Sequence, residues 1–198
     1  MARAHLSASG SGEAALGVYA RAFGATMKLY RARVPQIAHA VIERLTNDGD
    51  IEVAGPDREE AASDLVAILE SYLHRDNDLR EAVRDEMERK NIPYDHYGKV
   101  KGAIAEGWGH PTGDEVDRFL ARQFIENFMI SNFVGEVYTD DRELFKKILD
   151  VVASFDVDER ALRAEAEERI KNVKEGSVER QDALNRALRE VRKRHGLT

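Results

Sequence analysis

Cysteine is absent from this 198-residue chain, which removes disulfide staples, thiolate metal sites and cysteine nucleophiles together. Proline is scarce, with four residues, so little interrupts long helices. Aromatic residues make up 7% and Trp occurs once, too few for a β-sandwich core or a base-stacking platform. No apolar run approaches the ~18–20 residues that a membrane span needs, so no membrane insertion is expected. An excess of positive charge is missing as well: the net charge of −7 works against an electrostatic grip on phosphate backbones. What remains is a chain that is 42% apolar and 34% charged, the composition of amphipathic helices with solvated outer faces. A soluble, cytoplasmic protein is expected.

The chain repeats its own plan. Asp57-Arg58-Glu59-Glu60, followed by Leu65, Ile68, Leu69, Tyr72, Leu79, Val83 and Met87, reappears as Asp140-Asp141-Arg142-Glu143, followed by Ile148, Val151, Val152, Phe155, Leu162, Ala166 and Ile170, always 83 positions later. Small helical units bury little surface alone, so two such units are expected to share a core. The reading is all-α: two three-helix units related by a pseudo-two-fold and packed into one bundle. Residues 1–26, rich in Ala, Gly and Ser, are expected to form a flexible N-terminal extension, with 27–112 as the first repeat and 113–198 as the second.

Within the first repeat, Val34, Ile37, Ala38, Val41, Ile42 and Leu45 mark a helix stopped at Asp48-Gly49. Asp57 with Glu60 predicts a capping-box start for a helix to about Arg75, and a further helix begins at 76–78. In the second repeat Phe119, Phe124, Phe128 and Met129 predict an aromatic first helix stopped at Gly135, which with Phe133 packs against the first helix of the other half. Asp140 and Glu143 reopen the chain as Asp57 and Glu60 do. The extended pieces after Gly49 and Gly135 are expected to pair as a minimal two-stranded ribbon. Residues 107–113 hold three glycines and a proline and read as a loop. Ser177 is placed to cap a last helix that ends at Gly196.

The opening Met27-Lys28-Leu29, Arg33-Val34, Ile37-Ala38-His39, Ile42, Leu45 and Asp48-Gly49 resembles that of DUF507, a bacterial family of unknown function. The closing Val173-Lys174-Glu175-Gly176-Ser177, Glu179, Leu184 and the run Glu190 to Leu197 resembles the same family's end. The resemblance covers nearly everything after Met27, once per half, with the opening in the first and the ending in the second, and it implies a tandem duplication of the DUF507 family, which is a family of small helical proteins. It supplies no activity, cofactor or catalytic residue.

Candidate chemistry is thin. His39 and Glu43, and Glu70 and His74, each lie four apart, and facing one another they would suit a metal in a helical-bundle enzyme. The repeat places Arg122 and Val157 where His39 and His74 would recur, so surface pairs are expected instead. The serines lack a nucleophile elbow and no glycine-rich phosphate loop precedes a helix. No catalytic, cofactor-binding or metal residue is assigned. Trp108 and His110 in the glycine-rich loop, and Arg186, Arg189, Arg192, Lys193 and Arg194 on the last helix, are the candidate partner-binding residues. A lone Trp is expected in the core, with exposure as a partner anchor the alternative. The expected function is a non-enzymatic protein-binding or regulatory module. A nucleic-acid or ribosome-associated factor using the basic helix is the first alternative and a metal-binding bundle enzyme the second.

Overall fold

The computed structural model describes residues 28–172 and 178–198, and of Val178 the backbone alone. The expectations for residues 1–26 and for a Ser177 cap therefore lie outside the described residues. The described residues form helices α1 (Val34–Asn47), α2 (Arg58–Arg89), α3 (Tyr97–Trp108), α4 (Val116–Phe128), α5 (Asp141–Ser154), α6 (Glu159–Arg169) and α7 (Val178–Arg194), with short 3-10 turns and no strand among them.

Helix α1 buries Val34, Ile37, Ala38, Val41, Ile42 and Leu45, the stripe that its periodicity dictates. It ends where Gly49 takes a left-handed φ of +75°, which lets the Asp50 amide reach back to the Leu45 carbonyl at 2.9 Å. Helix α2 runs unbroken for 32 residues, roughly 48 Å at 1.5 Å per residue; the break expected near Asp76 does not occur. Nothing between Tyr72 and Arg80 is Gly or Pro, and Asp76 turns its carboxylate to side chains rather than to backbone amides. The matched segment of the second half does break, at residues 155–158. There Asp158 accepts from the Arg160 and Ala161 amides at 2.9 and 3.0 Å; its counterpart, Arg75, has no acceptor with which to cap.

Caps differ between the halves in another way. Asp140 accepts from the Arg142 and Glu143 amides, whereas Asp57 makes no side-chain cap, because Pro56 leads into a 3-10 turn that delivers the chain already helical. Helix α4 stops at Phe128, well before Gly135. Ser131 then holds the following turn by donating to Asp64 at 2.7 Å and accepting from the Phe133 amide.

The main core lies among α1, α4, α5 and the first half of α2, with Leu65, Leu69, Phe124, Phe128, Ile148 and Val152 inside it. Helix α1 packs on α2 and α5, while α4 packs on α5 and α2, so the aromatic helix does not lean chiefly on α1. Phe119 and Phe133 are partly buried against this core, and Met129, expected inside, is exposed. Two arms leave this body. The second half of α2 pairs with α3 around Leu79, Val83, Met87 and Ala105. Helices α6 and α7 pair around Leu162, Ala166, Ile170, Leu184, Ala187 and Val191. A four-helix body with two helical-hairpin arms thus replaces the expected single bundle.

The extended pieces meet through one antiparallel bridge, Ile51 to Val137, short of a two-stranded ribbon. The Glu52 amide donates to the Glu136 carbonyl and the Tyr138 amide to the Asp50 carbonyl, each at 2.8 Å. Beside the bridge the buried Asp50 carboxylate accepts from Lys147 Nζ at 2.7 and 2.9 Å and from Thr139 Oγ1 at 2.7 Å. These bonds raise the Lys147 pKa above its ordinary value.

Candidate functional site

The two surface regions singled out in the sequence lie on different arms. On the first, α3 extends to Trp108 and closes on Gly109, whose left-handed φ of +59° suits a helix end. Gly107 and Trp108 are therefore helical rather than looped. Trp108 is 39% exposed, against the expectation of burial, and its carbonyl accepts from Arg75 at 2.6 Å.

His110, two residues on, is buried, with its side chain 1% exposed. Its ring stacks on Tyr72 at 5.0 Å and 14°, and its Nε2 lies 3.8 Å from Asp76 Oδ1 and makes no hydrogen bond. Asp76, itself buried, accepts from Arg80 at 2.5 Å and from Lys101 of α3 at 3.1 Å. Burial holds the His110 pKa below the ordinary histidine value, with Asp76 opposing the shift and Arg75 and Lys101 adding to it. Burial, and then the Asp76 charge, push the Tyr72 phenol well above its ordinary value. The cluster pins α3 and the start of the 109–113 linker to α2. Two open clefts of about 430 and 480 Å³ flank the linker, with Gly109, His110, Pro111 and Phe119 in both walls.

The sequence does carry a signal for Asp76. Leu65, Leu69, Tyr72, Asp76, Leu79 and Val83 step by four, three, four, three and four, so Asp76 occupies an inward register position and requires a buried cationic partner. The same position in the second half is Glu159, which is paired with Arg192 of α7 at 3.0 Å and Lys28 at 3.4 Å.

On the second arm the basic residues of α7 divide into two groups. Arg192 pairs with Glu159; Arg194 and His195 pair with Glu165. Those side chains close α7 onto α6. Arg186, Arg189 and Lys193 are exposed at i, i+3 and i+7, along one face of the helix. The Arg186 and Arg189 Nε groups reach carbonyls of their own helix, at 3.4 and 3.3 Å. None of the three forms an ion pair within 4.0 Å among the described residues.

The proposed metal quartet is not assembled. His39 lies 3.6 Å from Glu59, His74 lies 3.8 Å from Asp78, and Glu70 is bound by Arg31, which holds its carboxyl below the usual range. Among the described residues no group of three or more His, Cys, Asp or Glu is placed to hold a metal ion, and no helix is long and apolar enough to cross a membrane.

No curated protein matches the chain. The family model for DUF507, described as "Protein of unknown function (DUF507)", matches residues 27–197. That one match runs through both halves, both arms and the bridge between them, and by it the chain belongs to the DUF507 family.

Proposed function

We propose that this protein is a non-enzymatic, cytoplasmic interaction or regulatory module whose α7 row binds an acidic surface on a partner protein. One observation carries the reading. Arg186, Arg189 and Lys193 are exposed along one face of α7 and none forms an ion pair within 4.0 Å among the described residues, although Asp182 and Glu190 are exposed on the same side of the helix. An i, i+3, i+7 row spans about 10 Å at 1.5 Å per residue, a footprint that fits a helix or sheet edge bearing two or three acids. Trp108 is the other candidate contact; His110, being buried, acts through the position of the linker. A nucleic acid could use the same row, but the chain's net charge of −7 repels it.

The fold itself we read as an internal duplication within one DUF507 unit. Each matched pair from Leu65/Ile148 to Met87/Ile170 shares its degree of burial. Helix pairings also exchange consistently: α1 with α2 answers α4 with α5, and α2 with α3 answers α6 with α7. At the bridge, the Glu52-to-Glu136 and Tyr138-to-Asp50 bonds exchange when each segment is shifted onto the other by 86 positions.

A photo-crosslinking amino acid at Asn185, beside the row, tests the function in cells. The expected result is a discrete protein adduct that disappears when Arg186, Arg189 and Lys193 are changed to Glu. An adduct that survives charge reversal, or one made only with RNA, overturns the reading.

A further inference from the structure

We infer that α6 and α7 form a hinged arm, latched to the body by residues 28–33 and released when Tyr30 leaves its socket. This goes beyond the partner-binding reading and does not depend on it.

Three observations lead there. First, α6 and α7 pack extensively on each other, and any contact that either makes with α1 to α5 is slight; their apolar side chains form a cluster of their own. Second, two short segments span the gap, and each divides its side chains between body and arm. In the segment leading to α6, Phe155 packs on the body core and Val157 on the arm cluster. In the N-terminal segment, Leu29 packs on the body core while Tyr30 is buried in the arm cluster. Tyr30 is in extended backbone, φ −96° and ψ 130°, where successive side chains point to opposite sides. Neighbouring residues thus serve as the two jaws of a latch.

Third, the latch is poorly satisfied in polar terms. The Tyr30 hydroxyl and the Nε atoms of Arg33 and Arg192 are buried without hydrogen bonds. Burial, reinforced by Arg192, holds the Lys28 pKa down, although Glu159 opposes the shift. The groups that favour closure are the Tyr30 ring, the 3.4 Å contact from Lys28 to Glu159 and a 3.4 Å bond from Arg33 to the His195 carbonyl. Desolvated, unmatched donors offset the gain from burying the ring, which is how a contact suited to opening is built. The first arm has no such device, since α2 runs into it without a break. Opening would uncover the Leu162, Leu184 and Val191 cluster and move the α7 row relative to the body.

The absence of native cysteine makes spin-label pairs clean in the full-length chain. One pair, Glu43→Cys with Gln181→Cys, spans body and arm; a control pair, Glu43→Cys with Asp85→Cys, stays on α1 and α2. Tyr30→Ala should broaden the body-to-arm distance distribution and leave the control unchanged, and Tyr30→Phe should keep the native width. An unchanged body-to-arm distribution, or equal broadening in both pairs, overturns the latch. If Tyr30→Ala does not fold, hydrogen exchange on the unaltered protein decides. Amides of α6 and α7 should exchange faster than those of α1 and α4, and equal protection overturns the inference. Neither readout involves a partner, so the latch and the partner-binding reading can each fail alone.

Discussion

Replacing Lys147 with Met should be among the most damaging single changes outside the apolar core. Lys147 Nζ donates twice to the buried Asp50 and lies 3.2 Å from Asp48. Methionine keeps the length and apolar stem but leaves the Asp50 carboxylate, 3% exposed, with Thr139 as its remaining side-chain donor. Breaking a buried pair by removing one partner costs about 3–5 kcal/mol. The Lys147 side chain is one-fifth exposed, so the upper part of that range is screened and a loss of about 2–4 kcal/mol is expected. At a urea slope of ~2 kcal/mol/M this lowers the unfolding midpoint by roughly 1–2 M. Adding Asp50→Asn should restore at least half of the loss, because the unpaired charge goes with it. Urea unfolding followed by circular dichroism measures all three proteins. A Lys147→Met midpoint within error of the unaltered protein would refute the view that this ion pair clamps the two halves beside their bridge.

Two other predictions rest on smaller groups. His110 has a depressed pKa in the folded state, so the unfolded chain binds more protons below the ordinary histidine pKa of ~6.5. Stability should then fall as pH drops from 7.5 to 5.5, with a slope of at most ~1.4 kcal/mol per pH unit. Urea midpoints for His110→Gln should be flatter over that window, and an identical dependence would contradict the assignment. Asp158→Ala should cost about 0.5–2 kcal/mol through the lost cap on α6, whereas Asp57→Ala, which removes no cap, should cost far less; thermal melts that rank them the other way would refute the distinction.

The apolar register was the legible part of this fold. Spacing alone placed Val34 to Leu45 on one face, and put a stop at Gly49 and a cap at Asp140, because these are properties of single helices and their ends. The continuity of α2 was harder to read: Asp76 and Asp78 look like start signals, yet Asp76 serves Arg80, Lys101 and His110 instead. Asp57 resembles Asp140, but the preceding proline sets the backbone before a cap is needed. Trp108 was misplaced because seven residues with three glycines read as a loop, while Gly107 is tolerated inside α3 and Gly109 ends it. The division into a body and two arms lay beyond local pattern, since it depends on which apolar stripes meet across long separations. For the candidate surface, the basic character of α7 was plain. Which of its cations remain unpaired emerges from the register between α6 and α7, which fixes Glu159 and Glu165 opposite Arg192 and Arg194.

The most direct test of the α7 assignment is a quantitative comparison of what co-purifies with the unaltered chain and with the Arg186→Glu, Arg189→Glu, Lys193→Glu triple variant, each with and without nuclease, by mass spectrometry. A protein partner depleted by charge reversal and indifferent to nuclease is the predicted result. Identical partner profiles for the two chains, or a difference that vanishes once nucleic acid is digested, would contradict it.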